Sequence, residues 1–284
     1  MIIDGKKFAK SLRSKIKFEI IKIKKNKKPI PSLTVVLVGS YTPSAIYVKN
    51  KELSAKEVGI NSSVLRFESS ISELKLISVI KKLNQNPKVH GILVQLPLPK
   101  HINSNTIIET IDPLKDVDGF HAMNVGNLSI GKDSLVPCTP LGCYLLLKSI
   151  KKKLVGMNAL IIGRSNLNGK PMTQLLLKED CTVTIAHSKS KDLKNLCKKA
   201  DIVIAAVGRA QLVKGSWIKK GAIVIDVGIN RIDFNGKSKI VGDVDFESTK
   251  KKAYAITPVP GGVGPMTIAC LLNNTLKAYK NINS

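Results

Sequence analysis

Ala159-Leu160-Ile161-Ile162-Gly163-Arg164-Ser165-Asn166-Leu167-Asn168-Gly169-Lys170-Pro171 is the stretch that decides the fold. Apolar residues run into a turn framed by two glycines, and an apolar-periodic segment follows Pro171. A buried strand, a tight turn and a helix with proline near its start account for the pattern. Such a turn leaves backbone N–H groups and a helix N-terminus at the carboxyl edge of a parallel sheet, which suits a phosphate or pyrophosphate. The spacing is not G-x-G-x-x-G, so the turn alone leaves an ordinary strand-to-helix connection open.

Working outward, 182–186, 202–207 and 222–227 read as further strands, and helices fit between the first three of the set. That is the pattern of a doubly wound, nucleotide-binding sheet. The second strand ends Ala186-His187-Ser188-Lys189. An NAD-specific sheet usually places there an acid for the ribose 2′-hydroxyl. Donors and a cation stand here instead, and with Arg164 they favour a 2′-phosphate, hence NADP. A surface-loop histidine is the plainer reading of His187 taken alone.

Toward the N-terminus, residues 6–25 predict a helix. Phe8, Ala9, Leu12, Ile16, Ile20 and Ile23 form its apolar face, lysines the other, and Pro29 and Pro31 lie beyond its end. The β-branched run 33–38, ending in Gly39, reads as a buried strand. Thr42 reads as an N-cap with Pro43 at the first helical position, and that helix ends at Gly59. A short strand at 64–67, a helix at 71–83 through Leu74, Ile77, Ile80 and Leu83, and a strand at 90–95 follow. Segment 112–140, rich in Gly, Pro, Asp and Asn, is the expected domain boundary.

The expected fold is therefore α/β with two domains. An N-terminal βαβ parallel-sheet catalytic domain takes residues 1–140, and a Rossmann-like doubly wound domain takes 141–264. The final helix, 265–284, is expected to return to the first domain.

Composition narrows the function. Of 284 residues, 43% are hydrophobic, enough for a packed core, and no apolar run is long enough to span a membrane. The N-terminus lacks the apolar segment of a secretory signal. Five cysteines without a CxxC pair argue against a disulfide framework or a zinc site and fit a reducing cytoplasm. The net charge of +26 comes from lysines spread over the whole length, and aromatics are only 4%. That distribution argues against nucleic acid, which needs a patch or a stacking platform. Drift toward A/T-rich codons explains it most simply, and attraction of a polyanionic substrate tail comes second.

Chemistry-bearing side chains converge in the first domain. Tyr47 and Lys51 are four apart on the second helix and share a face. Gln95 ends a strand of the same sheet, before Leu96-Pro97-Leu98-Pro99, and Asp118 sits in Asp116-Val117-Asp118-Gly119-Phe120. A phenol, an amine, an amide and a carboxylate thus face a cleft between two sheets. A solvated helix face is the plainer reading of Tyr47 and Lys51 by themselves.

These motifs closely resemble the bifunctional methylenetetrahydrofolate dehydrogenase/methenyltetrahydrofolate cyclohydrolase family. The likeness covers nearly the whole chain. It includes Tyr47-Val48-x-x-Lys51, Gly91 through Pro99, and Asp112-Pro113-x-Lys115-Asp116-Val117-Asp118-Gly119-Phe120-His121. Pro137-Cys138-Thr139-Pro140, Gly163-Arg164-Ser165, Gly228-Ile229-Asn230, Gly242-Asp243-Val244 and the 257–267 loop complete it.

The resemblance implies that Lys51 is the acid–base group of the cyclohydrolase step. It also implies that Tyr47 packs on the aminobenzoyl ring and bonds toward Lys51, that Gln95 orients the amine, and that Asp118 holds the pterin. Val94, Leu96, Pro260, Gly261 and Gly262 join these on the substrate side. Gly163, Arg164, Ser165, His187, Ser188, Gly208, Gly228 and Ile229 are implied for NADP, with no metal. The substrate would be a tetrahydrofolate, possibly polyglutamylated, and the assembly a homodimer. Asn168 departs from the family, which usually has an apolar residue in that turn. A different two-domain oxidoreductase, such as a shikimate dehydrogenase, would share the architecture but not the Tyr47/Lys51 pair or the 257–267 loop.

Overall fold

The structure is a computed structural model that describes residues 1–234 and 236–283. The chain begins with α1 (Gly5–Lys25), β1 (Ser32–Val38), α2 (Thr42–Val58), β2 (Asn61–Phe67), α3 (Glu73–Gln85) and β3 (Gly91–Val94). Then come α4 (Ser104–Thr110), α5 (Ala122–Ser129), α6 (Cys138–Ile150), β4 (Asn158–Ile162), α7 (Gly169–Leu177), β5 (Thr182–Ala186), α8 (Leu193–Lys199) and β6 (Ile202–Ala205). The last elements are β7 (Ile223–Asp226), the hairpin β8 (Asn230–Phe234) and β9 (Lys237–Val241), α9 (Phe246–Thr249), β10 (Ala255–Ile256) and α10 (Val263–Ile282). No helix among the described residues is long and apolar enough to cross a membrane. Residues 10–138 with 268–284 form one compact unit, and 1–9 with 139–267 form another.

The first unit is built on a three-stranded parallel sheet in the order β2-β1-β3. Its central strand β1 is buried on both faces, which is why 33–38 is apolar without alternation. One face packs Val36, Val38, Ile92 and Val94 against Leu76 and Ile80 of α3 and Ile107 of α4. Of the face expected for α3, Ile80 is buried and Ile77 and Leu83 pack on the same core, but Leu74 is 79% exposed and Leu76 is buried instead. Leu76, Ile80 and Leu83 form the stripe at i, i+4 and i+7 that meets the sheet, and Leu74 lies on the opposite side of the helix. The Ser72 side chain accepts from the Lys75 N–H and caps the helix, which starts at Glu73. In α2 the capping position is Tyr41 and not Thr42, which already lies in the helix, and the left-handed Gly59 (φ 84°) closes it as expected.

Segment 112–138 is folded in this unit. The Ile92 N–H donates to the Lys115 carbonyl (2.8 Å), so the segment continues the sheet edge beside β3. The Lys115 side chain is 6% exposed and donates to the carbonyls of Leu83 (3.3 Å), Asn84 (2.6 Å) and Asn86 (2.9 Å). These include acceptors that the end of α3 leaves open, and a cation there also meets the negative pole of the helix. Burial pushes the Lys115 amine down, and Asp112 opposes the shift. The C-terminal helix returns to this unit: Asn274 donates to the carbonyls of Val117 (2.9 Å) and Val136 (2.8 Å).

The second unit holds a five-stranded parallel sheet in the order β10-β7-β6-β4-β5. This is the expected doubly wound, Rossmann-like arrangement, with α7 and α8 joining the first three strands. Between β6 and β7 the chain makes only a 3-10 turn, Gly215–Trp217. The N-terminus contributes as well. The Ile3 N–H donates to the Ile256 carbonyl (2.8 Å), and the Ile256 N–H donates to the Met1 carbonyl (3.0 Å), along the free side of β10.

Lys115→Ala leaves the end of α3 without its buried donor and should cost about 1–3 kcal/mol. Calorimetry should show the thermal midpoint lowered by roughly 2–8 °C. An unchanged midpoint would mean that those carbonyls do not depend on the amine.

Candidate active site

Helix α2 follows β1 and so begins at the carboxyl edge of the sheet. Its register carries Tyr47 and Lys51 on one face. Lys51 is 8% exposed, and its amine donates to Gln95 Oε1 at 2.9 Å. Gln95 leaves β3 with one more ladder bond, its N–H donating to the Val36 carbonyl (2.9 Å). Its side-chain Nε2 donates to the Leu96 carbonyl (2.8 Å). That bond fixes which end of the amide is free, so the oxygen faces the lysine. The Tyr47 ring is 37% exposed, and burial pushes its phenol up. No bond joins the phenol to Lys51 among the described residues. Val94 is buried, with its side chain in the core, whereas Leu96 is half-buried.

Asp118 belongs to the same group. Burial pushes its carboxyl up, while the Lys51 ammonium and a hydrogen bond from Cys138 pull it back down. Burial also keeps the Cys138 thiol well above its ordinary value, hence protonated and able to donate. The neighbouring Asp116 is 1% exposed and is pushed up to about 6 by burial. Its oxygens accept from the N–H groups of Gly119 (3.1 Å) and His121 (2.8 Å) and from the Asn124 amide (3.0 Å). Gly119 (φ 74°) permits the turn: a Cβ there would lie 2.4 Å from the Leu135 carbonyl oxygen. Asp116 thereby shapes the loop that presents Asp118. Asp116 and Cys138 lie within the sequence motifs, but no spacing there marks either as the acceptor or donor it becomes in the fold.

In the other unit, Gly163 ends β4 with φ 126°, and a Cβ there would come within 2.2 Å of the Ala206 carbonyl oxygen. Gly169 packs as closely: its missing Cβ would meet the Gly163 carbonyl oxygen at 2.1 Å. The turn is therefore flat against the sheet, with Arg164 and Ser165 exposed at the rim. The Ser165 hydroxyl accepts from the Asn168 N–H (3.1 Å). Asn168 takes the N-cap position of α7 without a side-chain cap, and it lines a small apolar gap with Ile161, Met172, Ile204 and Val227.

Past β5, His187 Nδ1 accepts from the Lys189 N–H (3.2 Å), and the His187 N–H donates to the Ser190 hydroxyl (2.9 Å). Ser188 and Lys189 are exposed, and no carboxylate stands between 187 and 191. An uncapped nine-residue helix, a guanidinium and an acid-free strand end fit a ligand with several phosphates.

Two buried acids organise the remaining rim. Asp226 (3% exposed) accepts from the N–H groups of Gly228 (3.0 Å), Asp243 (2.9 Å) and Val244 (2.9 Å). Asp243 (0% exposed) accepts from the N–H groups of Val207 (2.6 Å), Gly208 (3.0 Å) and Arg209 (2.9 Å) and from the Asn230 amide (2.8 Å). Gly208 and Gly228 lie on these loops, with Ile229 55% exposed beside them. Pro260, Gly261 and Gly262 follow β10. There Gly262 lies against the start of α1, so closely that a Cβ on Gly5 would fall 1.7 Å from the Gly262 carbonyl oxygen.

Comparison with known proteins agrees with this geometry. The tetrahydrofolate dehydrogenase/cyclohydrolase family matches by its catalytic domain over residues 3–118 and by its NAD(P)-binding domain over 137–283. A Pelagibacter ubique protein called bifunctional protein FolD is 59% identical over 280 residues, spanning 99% of this chain and 98% of that one. The crystal structure of the Campylobacter jejuni bifunctional FolD superposes with a TM-score of 0.95 at 46% identity, covering 99% of each chain. The Trypanosoma brucei FolD, solved with NADP cofactor and an inhibitor, gives 0.94 at 36% identity, covering 99% of this chain and 97% of that one. With both its units matched in order, this chain belongs to the tetrahydrofolate dehydrogenase/cyclohydrolase family.

Proposed function

We propose that this protein oxidises 5,10-methylenetetrahydrofolate to 5,10-methenyltetrahydrofolate with NADP and then hydrolyses that cation to 10-formyltetrahydrofolate. The observation that carries the reading is the buried Lys51 amine held on Gln95 Oε1 at 2.9 Å, with the Asp118 carboxyl in its field. The folate-binding unit is the one with residues 10–138 and 268–284, and the NADP-binding unit the one with 1–9 and 139–267.

The nicotinamide, when bound, accepts the hydride from the methylene carbon. Gly163, Arg164 and Ser165 receive the phosphates. His187 and Ser188 receive the 2′-phosphate, and Gly208, Gly228 and Ile229 the rest of the dinucleotide. On the folate, Asp118 accepts from pterin N–H groups through charge-assisted bonds. Tyr47 lies against the aminobenzoyl ring with Leu96 beside it, Val94 offers its backbone only, and the resemblance assigns Pro260, Gly261 and Gly262 to the substrate as well. Oxidation leaves a delocalised cation open to water.

Lys51 then takes a proton from the attacking water and returns it to the ring nitrogen as the carbon–nitrogen bond breaks, and release of the remaining hydroxyl proton to solvent leaves the neutral formyl group on the other nitrogen. Gln95 holds the amine on that line. An amine does this only through its neutral form, with the lone pair free for the proton. A homodimer in the cytoplasm is the working state. The open edge of β5 supports that assembly, and the five free, buried cysteines fit that compartment.

Lys51→Ala should keep hydride transfer within an order of magnitude while hydrolysis of the methenyl compound falls about 10²–10⁴-fold. Parallel assays of NADPH formation and of loss of methenyl absorbance check this, and normal hydrolysis in the variant would remove Lys51 from the mechanism. Asp118→Ala should weaken folate binding by about tenfold or more and leave NADP binding unchanged. Titration calorimetry with each ligand decides, and equal weakening would detach Asp118 from the pterin. Light scattering should give twice the chain mass of 30.8 kDa, and a single-chain mass would refute the dimer.

A further inference from the structure

We infer that Asp243 is a positioning residue for the nicotinamide half of the bound dinucleotide, acting through the loops that leave β6 and β7. The inference rests on the NADP reading above and adds a residue to it.

Sheet order supplies the direction. β4 has β5 on one side and β6, then β7, on the other. A dinucleotide lies across the carboxyl edge of such a sheet, with its pyrophosphate on the first turn and its adenosine ribose at the end of the second strand. Here those are the 163–169 turn and the end of β5. The other ribose and the nicotinamide then fall on the side of β6 and β7, against 206–209 and 227–230.

Neither segment is held by the sheet ladder alone. Three successive N–H groups, of Val207, Gly208 and Arg209, turn back onto the Asp243 carboxylate at 2.6, 3.0 and 2.9 Å. The Asn230 amide, on the far side of the second loop, joins the same carboxylate at 2.8 Å. Asp226 closes the frame from below, accepting from the N–H groups of Gly228 and of Asp243 itself. Packing leaves no slack: a Cβ on Gly228 would fall 2.3 Å from the Asp243 carboxyl carbon. Asp243 is 0% exposed, so it has no surface for a ligand and must act through the backbone it holds.

A carboxylate is the group that fits, because it accepts on every side and donates on none. An amide there would point an NH₂ at N–H donors and displace the loop. The effect would reach the dinucleotide. It would not reach hydrolysis of the methenyl cation, which uses Lys51 and needs no NADP.

The test uses the full-length Asp243→Asn protein. Three quantities are measured: NADP-dependent oxidation of methylenetetrahydrofolate, hydrolysis of methenyltetrahydrofolate added without NADP, and NADPH affinity by its fluorescence. The NADPH dissociation constant and the KM for NADP should rise by about tenfold or more, with hydrolysis changed less than about twofold. Asp201→Asn serves as the stability control. It removes the Lys219 ion pair at the opposite edge of the sheet while keeping an oxygen for the Asn158 N–H, and it should not separate the two activities. If Asp243→Asn fails to fold, Asn230→Ala decides, since it removes a single donor and should raise the dissociation constant about threefold. Unchanged NADPH affinity, or an equal fall of both activities, overturns the inference. A wild-type protein that neither binds nor reduces NADP overturns the underlying cofactor reading instead.

Discussion

A parallel sheet delivers the carboxyl ends of its strands to one edge, and the N–H groups that leave the ladder there must still find acceptors. This chain meets that constraint with buried carboxylates. In one unit Asp116 collects the N–H groups of Gly119 and His121. In the other, Asp226 and Asp243 collect six between them. A carboxylate can accept several bonds at once and has no proton of its own to place when ionised. One residue can therefore fold a whole loop. The loops so folded carry Asp118, Gly208 and Gly228, the residues to which chemistry is assigned.

The same logic separates the roles of the buried polar groups. Lys115 and Lys51 are both lysines with little exposure in one unit. Lys115 spends its donors on three backbone carbonyls and completes a helix end. Lys51 has one hydrogen-bond partner among the described residues, a side-chain oxygen whose orientation is set by the Leu96 carbonyl. A cation with its donors saturated is structural. One held at a single point, beside a carboxyl that burial has pushed up, is placed to exchange protons.

Much of this architecture could be read along the chain, because it rests on local periodicity. Buried parallel strands are continuous apolar runs, so 33–38 and 159–162 were legible without any partner. Gly59 announced a helix end because the left-handed conformation is open to glycine at little cost. The pairing of Tyr47 with Lys51 follows from the helical repeat. The failures were also local. Leu74 fits an apolar spacing as well as Leu76 does, and only packing of α3 against the sheet, through Leu76 and Ile80, turns one out and the other in.

The amino-acid sequence by itself determined the two α/β units, the place of the phosphate turn, the absence of an acid after β5 and the family. Each of these is carried by residue type at short spacing. Tertiary structure alone decided strand order, the side-chain face of Gln95 toward Lys51, and the work of Asp116, Asp226 and Asp243. Those acids bond to backbone N–H groups, which every residue but proline carries, and the partners lie as far as 36 positions away. No residue letter marks such a partner, so the bond becomes visible only when the fold brings the two segments together.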